Sequence, residues 1–435
     1  MNVILLSGGS GKRLWPLSND IRSKQFIKLF KDDSGTYESM LQRVYRQITT
    51  VDKEAKITIA TSKSQASAIK NQLGENVCIC VEPCRRDTFP AIALASSYLH
   101  DELGIGRNET VVICPVDPYV DDTYYKTIMT LYKLAENCKG LALMGIKPTY
   151  PSEKYGYIIP ENNNVISKVK EFKEKPDTES AKKYLKQGAL WNAGVFASRL
   201  GYLLNKVHSI IGFEDYSSLF NTYNMLNKIS FDYAVAEKEP DIQVLRYDGE
   251  WKDVGTWNMI AEVMSDKAKG KVVMDETCVN TNVINELDIP ILCMGCKDLV
   301  IATSSDGILV SDKECSGYIK PYVDKIKSEV MYAEKSWGTY TVLDVQPGSM
   351  SIKISMRAGE HMSYHMHNYR NEVWTVVFGK GKVLVDGIEK ILYAGDVIAI
   401  AAGCKHTIEA ITGLDIIEVQ IGNEISVNDK VKFPM

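Results

Sequence analysis

"VILLSGGSGKRLWPLS", residues 3–18, is where the reading of the first half of the chain starts. A run of apolar β-formers ends in a Ser-Gly-Gly-Ser-Gly loop, and the loop ends in Lys-Arg. Gly8, Gly9 and Gly11 would let backbone amides approach anionic oxygens with no Cβ in the way. Lys12, Arg13 and, further on, Lys24 can supply positive charge. The spacing is neither that of a Walker A loop nor that of a GxGxxG dinucleotide fingerprint. Taken alone, the stretch is either a phosphate cradle or an ordinary glycine loop.

Outward from this loop the chain alternates. The runs 3–7, 57–60, 77–81, 111–114 and 141–145 are short and rich in β-branched residues. Helical patterns lie between them at 39–47, 63–73, 90–99 and 122–136, with Pro90 allowed in a first turn. Such alternation predicts βαβ units and a mostly parallel, doubly wound α/β sheet. Ligands of such sheets bind outside the carboxyl ends of strands. The opening loop and "CPVDP" (114–118) both lie at such ends. From about residue 266 the texture becomes short alternating strands, which suggests a small β module coiled from parallel strands. Residues 319–338 read as a helical linker. From Gly338 onward, strands with frequent Gly or Pro read as a β-sandwich or barrel. The expected domains are 1–265, 266–330 and 331–435.

Composition narrows the class. A chain of 435 residues predicts two or three domains. Its net charge of −4 argues against a dedicated nucleic-acid binder. No apolar run reaches membrane-span length, and no signal peptide is evident. The ten cysteines are irregularly spaced, and the pair Cys293 and Cys296 has no second pair at zinc-finger spacing. They read as structural or incidental thiols in a reducing, cytoplasmic compartment.

Asp117 follows a strand, where a metal ligand or a turn-forming Asp are both reasonable. Asp253 lies between two tryptophans in "EWKDVGTW". Mg²⁺ takes few protein carboxylates and keeps phosphate and water ligands, so two carboxylates from distant segments would suit it. The segments "GGSGKRLWPLS", "KQF", "EPCRRDTFPAIALA", "PVDP", "YGYI", "FKEKP", "WNAGVF", "FDYAVAEK" and "WKDVGTW" run in order over residues 1–260. In that order they resemble the sugar-nucleotide pyrophosphorylases, most closely the bacterial mannose-1-phosphate guanylyltransferases. The resemblance implies a Rossmann-like nucleotidyltransferase domain and Mg²⁺-dependent transfer from a nucleoside triphosphate to a sugar 1-phosphate. It implies Arg13, Lys24, Asp117 and Asp253 as catalytic, with both aspartates on Mg²⁺. It places Ser7, Gly8, Gly9, Gly11, Lys12, Glu82, Arg86 and Thr88 on the nucleotide. It places Gly156, Glu174, Lys175, Asn192 and Asp232 on the sugar phosphate. Ser23, "PVDP" and Asp87 depart from the family's wording beside the nucleotide, which leaves open another triphosphate such as CTP, or another phosphorylated acceptor.

Four of the six histidines follow residue 360. On a strand, His365 and His367 share one face, Glu372 can return after a turn, and His406 comes from a later strand. Three imidazoles and a carboxylate with open positions suit Zn, Mn, Fe or Ni. The spacing from Gly359 to Gly379 is the first cupin motif, and Gly395, Gly403 and His406 match the second, with Ala401 where Pro is usual. In long guanylyltransferases this cupin resembles a mannose-6-phosphate isomerase. The stretch "VNDKVKFPM" lacks that group's usual basic-acidic tail, so isomerase activity stands beside a structural or oligomerising role. Whole-chain rivals are a non-catalytic sugar-nucleotide sensor and a cupin isomerase with a delivery domain. The expected partners are the two substrates and a second copy in a homodimer, with no nucleic acid and no membrane.

Overall fold

The strand Asn2–Leu6 lies inside the first sheet, parallel to Lys56–Ser62 on one side and Thr110–Pro115 on the other. Its Val3, Ile4 and Leu5 are all fully buried. A strand covered on both faces has no use for alternation, hence the unbroken apolar run. The computed structural model describes residues 1–9, 12–19, 21–326, 330–426 and 429–434. The chain divides into two compact units, Met1–Ser10 with Lys24–Ser265, and Gly11–Ser23 with Asp266–Met435.

In the first unit, nine strands run in the order 78–82, 56–62, 2–6, 110–115, 190–199, 141–146, 242–247, 166–173, 157–160. The first four are mutually parallel. Leu190–Arg199 is antiparallel to both Thr110–Pro115 and Leu141–Ile146, so the sheet is mixed beyond its parallel half. Helices alternate with the parallel strands and are capped locally. Ser39 forms a capping box with Gln42 on Met40–Val51. Asp87 caps Thr88–Asp101, whose Pro90 sits in the first turn. Ile4, Cys80, Ile113 and Leu143 pack with Ile92 of that helix and with Leu203 and Val207 of Leu200–Ile210. At the carboxyl end of Thr110–Pro115 the chain turns into a short strand, Pro118–Val120, paired antiparallel with Trp251–Asp253. Pro118 opens its strand, where no ladder donor is lost.

The second unit starts with a coil of parallel strands. Ala268–Lys269, Asn282–Asn285 and Leu299–Ser304 stack in one sheet, and Val272–Met274 and Ile291–Cys293 pair in another. Gly307–Asp312 closes the first sheet antiparallel. Trp15, Pro16 and Arg22 pack here. Ser304 Oγ donates to the Pro16 carbonyl at 2.7 Å, and Arg22 grips Glu286 with two nitrogens at 2.6 and 2.9 Å. Gly307, with φ of +147°, leaves room for Trp15, whose ring a Cβ there would meet at 2.4 Å.

The helical linker expected over 319–338 is corrected. Among the described residues of this stretch, helix is confined to one turn, Lys320–Val323, with Pro at its start. Tyr332–Lys335 is a strand paired with Gly338–Gln346. Ala333 alone in it is buried; with one inward side chain, alternation in "YAEK" is too short to tell from a helical period.

The remaining strands form two facing sheets. One runs in the order 332–335, 338–346, 349–356, 414–422, 370–378, 397–400; the other runs 388–393, 380–385, 406–410, 365–366, 431–432. Met350, Ile354, Trp374 and Ile416 from the first meet Val383, Leu392 and Ile408 from the second in one core. This is the expected cupin architecture.

Candidate active site and metal centre

In the first unit, the ribbon joins two segments far apart in sequence. Asp253 is in register with Pro118, so Asp117 is the adjoining residue. Both aspartates line one open cavity of about 200 Å³ together with Gly156, Glu174, Asn192 and Asp232. Lys24, in the 3₁₀ turn Lys24–Phe26, places Nζ 3.2 Å from Asp117 Oδ2.

Glu174 is buried. Its Oε1 pairs with Lys175 Nζ at 2.7 Å, while Oε2 is buried with no hydrogen-bond partner. Residue 156 must be glycine for this oxygen to fit, since a Cβ there would lie 2.6 Å from it. Asp232, on the one-turn helix Phe231–Ala234, accepts from Asn192 Nδ2 at 2.7 Å. Burial, then the neighbouring Glu174 charge, pushes its carboxyl up to about 7. Lys175 has φ of +44°, a conformation costly for a side chain-bearing residue and concentrated at functional sites. An unpartnered buried acceptor and a strained lysine beside it are the features of a polar-ligand site.

The opening loop is partly described. Ser7 is buried, and its carbonyl accepts from Thr61 Oγ1 at 3.1 Å. Gly8 and Gly9 are exposed, and a Cβ on either would meet nothing within 4 Å. Gly9 needs its glycine for φ of +128°. Gly11 lies outside the described residues. Lys12 and Arg13 are on the 3₁₀ turn Lys12–Leu14 of the second unit, where Lys12 Nζ is 3.2 Å from Asp324.

Glu82, Arg86 and Thr88 do not line the cavity of the two aspartates. Glu82 is buried and accepts from Tyr223 Oη at 2.6 Å; burial raises its carboxyl above the usual range. Arg86 donates to the Asn224 carbonyl, and Thr88 Oγ1 accepts from the Phe231 amide at 2.8 Å. All three therefore tie the 82–88 loop to the segment that carries Asp232. Lys154, Tyr155 and Trp251 also line the cavity. The sequence motifs containing Tyr155 and Trp251 pointed to their neighbours, and Lys154 left no signal.

The metal-ligand expectation converges in the second unit. His365 and His406 are direct cross-strand partners. The ligand nitrogens of His365, His367 and His406 lie within 4.8 Å of one another, and all three residues are buried. Each Nδ1 faces a backbone carbonyl, of Ser363, Asp429 and Cys404 respectively. That fixes Nδ1 as the protonated nitrogen and turns Nε2 inward. Glu372 reaches over from the facing sheet, with Oε1 3.1 Å from His367 Nε2 and Oε2 3.3 Å from His406 Nε2. Burial, with Lys430 and His406 nearby, lowers His365 to about 3, so that ring stays neutral. Three buried imidazole nitrogens and one carboxylate thus converge from two facing sheets. This donor set therefore fits a divalent metal. Arg370 supplies a cation at the edge, with Nε 3.1 Å from Glu372 Oε1 and Nη2 3.1 Å from His367 Nε2. Glu418, buried nearby, has its carboxyl pushed up to about 8 by burial and then by Glu372. Neither Arg370 nor Glu418 was legible in the spacing that located the histidines.

A mixed sheet, parallel over its first four strands, with two carboxylates at its ligand end, and a separate cupin, define a nucleotide-handling enzyme class. The nucleotidyl transferase family profile matches residues 2–270, and the mannose-6-phosphate isomerase C-terminal profile matches residues 324–434. The chain belongs to the nucleotidyl transferase family. Relatives that match over nearly the whole chain include mannose-1-phosphate guanylyltransferases. That of Escherichia coli K12 is 31% identical, covering 99% of this chain and 97% of its own. That of Salmonella montevideo is 30% identical, covering 99% and 98%. A Thermus thermophilus crystal structure, described as a mannose-1-phosphate geranyltransferase, is 26% identical with a TM-score of 0.61, covering 75% of this chain and 99% of its own.

Proposed function

We propose that the chain transfers a guanylyl group from GTP to mannose 1-phosphate, releasing pyrophosphate and forming GDP-mannose. The observation that carries this is the convergence of Asp117, Asp253, Glu174, Asn192 and Asp232 on one cavity from five segments of the first unit. The sugar-phosphate oxygen attacks the α-phosphorus in line with the departing pyrophosphate. No covalent intermediate on the protein is needed, so positioning and charge neutralisation do the catalysis.

Asp117 and Asp253 form an incomplete oxygen set, which is what Mg²⁺ prefers when phosphates complete its shell. Bound there, Mg²⁺ would supply Lewis-acid neutralisation of the phosphates. Lys24, already beside Asp117, adds positive charge near the α-phosphate. Lys175 grips the sugar phosphate. Glu174 Oε2, unpartnered as it stands, receives a sugar hydroxyl, and Asn192, oriented by Asp232, receives another. Gly156 keeps the space for Glu174. Ser7, Gly8 and Gly9 border the triphosphate, and the same role for Gly11 rests on the sequence resemblance alone. The roles of Lys12 and Arg13 on the triphosphate, and of Glu82, Arg86 and Thr88 near the nucleoside, rest on the sequence resemblance. We assign the domains as 1–265, 266–330 and 331–435, and homodimerisation and a cytoplasmic setting belong to the same proposal.

The full-length relatives favour GTP over CTP and transfer over a sensor role. Four nucleoside triphosphates tested against a panel of sugar 1-phosphates with Mg²⁺ decide this. Pyrophosphate is expected fastest from GTP with mannose 1-phosphate. Release from another pair only, or from none, refutes the assignment.

In the cupin, His365, His367, His406 and Glu372 would hold a divalent metal: Zn, Mn, Fe or Ni. A cavity of about 400 Å³ beside them, with Lys335, Lys430 and Lys432 in its lining, favours a second activity there, isomerisation of a sugar phosphate. Interconversion of mannose 6-phosphate and fructose 6-phosphate by the metal-loaded chain, abolished in His406→Ala, is the expected result.

A further inference from the structure

The last described residues cross the cupin's metal-ligand cluster. Val431–Lys432 pairs with the strand of His365, Lys432 against His365 and Val431 against Met366. Just before this strand, Asp429 is buried and makes three contacts at the same place. Its main-chain oxygen accepts from His367 Nδ1. Its carboxylate receives two backbone amides that follow His367, Asn368 to Oδ1 at 2.8 Å and Tyr369 to Oδ2 at 3.1 Å. Further along, the Phe433 amide donates to the Tyr364 carbonyl at 2.9 Å, and the two rings meet at 6.4 Å. The other two ligand histidines take their carbonyl partners from two residues earlier in the chain. His367 differs, because its partner is 62 residues away.

We propose that Asp429 is a positioning residue of the cupin metal centre. Its carboxylate clamps the 368–369 backbone so that its own carbonyl holds the His367 ring with Nε2 toward the metal. This rests on the metal reading of the three histidines, and it goes beyond it by making the 429–433 crossing part of the site. The physical basis is general: a carbonyl on the far nitrogen of a ligating imidazole fixes its tautomer and orientation. Loss of such a partner typically weakens metal binding by about 10–100-fold. A charged acceptor for two amides is also stronger than a neutral one.

The test is Co²⁺ titration of the full chain, read by visible absorption and by Zn²⁺ competition. His406→Ala defines the cupin's share of the signal. Asp429→Ala is expected to bind Co²⁺ about 10–100-fold more weakly with an altered visible spectrum. Asp429→Asn, which keeps one acceptor oxygen, should fall between it and the parent chain. Thermal unfolding of the metal-free proteins and pyrophosphate release by the first unit serve as folding controls. Unchanged affinity and spectrum in Asp429→Ala overturn the proposal, as does a loss that appears only in step with metal-free unfolding. Where Asp429→Ala does not fold, unchanged affinity in Asp429→Asn overturns it. If His406→Ala leaves the Co²⁺ signal intact, the metal reading itself fails, separately from the role of Asp429.

Discussion

Replacing Asp232 with Asn should make the first unit more stable at alkaline pH and change little at acid pH. The carboxyl is half-buried beside Glu174, and burial followed by that charge raises it from 3.8 to about 7. A raised folded value means the folded state holds a proton that the unfolded chain releases. Its contribution is fully present below about pH 4 and is lost as pH rises through about 7. A shift of roughly 3 units corresponds to a ceiling of about 4 kcal/mol at 1.36 kcal/mol per unit. Solvent reaching the open cavity cuts this to about 2 kcal/mol. Asn has no proton to lose, and its carbonyl can still accept from Asn192. Urea unfolding read by tryptophan fluorescence at pH 4, 6 and 8 gives the difference directly. The variant's advantage should grow by about 2 kcal/mol from pH 4 to pH 8 with an unchanged m-value. Parallel pH profiles for the two proteins would refute the argument that Glu174 and burial hold Asp232 protonated.

Lys175→Gly should leave folding within about 1 kcal/mol, because relief of its positive φ offsets the entropy of Gly. The same change should raise KM for the sugar phosphate at least tenfold, measured by initial rates. Gly156→Ala drives a methyl group onto Glu174 Oε2 and should raise that KM with little effect on the KM for GTP. His406→Ala should remove the cupin's bound metal, measured by elemental analysis, while pyrophosphate release is retained.

The parallel half of the sheet was legible because Asn2–Leu6 and Thr110–Pro115 are buried on both faces and read as apolar runs, with helical patterns between the parallel strands. The helix Lys63–Leu73 falls where its pattern put it. The antiparallel Leu190–Arg199 was not legible, since strand direction is set by pairing and leaves no mark in local composition. The 332–335 strand was missed for the related reason that four residues with one buried side chain carry no period. The aspartates and the histidines were legible as residue types at suggestive places. What brought Asp117 beside Asp253 is the register of a three-residue ribbon, visible only in the fold. Glu418 lies beside the histidines through strand pairing, Asp429 through hydrogen bonds from the loop before the 431–432 strand, and Arg370 within the motif at a position its spacing does not specify. Trp15 and Pro16 follow the glycine loop in sequence, yet with Arg22 they pack on the parallel-strand coil through partners more than 260 residues away.

The central claim is that Asp117 and Asp253 act together on a triphosphate and a sugar 1-phosphate. The direct measurement is the rate of pyrophosphate release from GTP and mannose 1-phosphate, with Mg²⁺, by the parent chain, Asp117→Asn, Asp253→Asn and the double variant. Each single change should lower kcat at least a hundredfold with melting temperature nearly unchanged, and the double variant should be scarcely worse than either. Turnover in either single variant close to that of the parent chain would contradict the account.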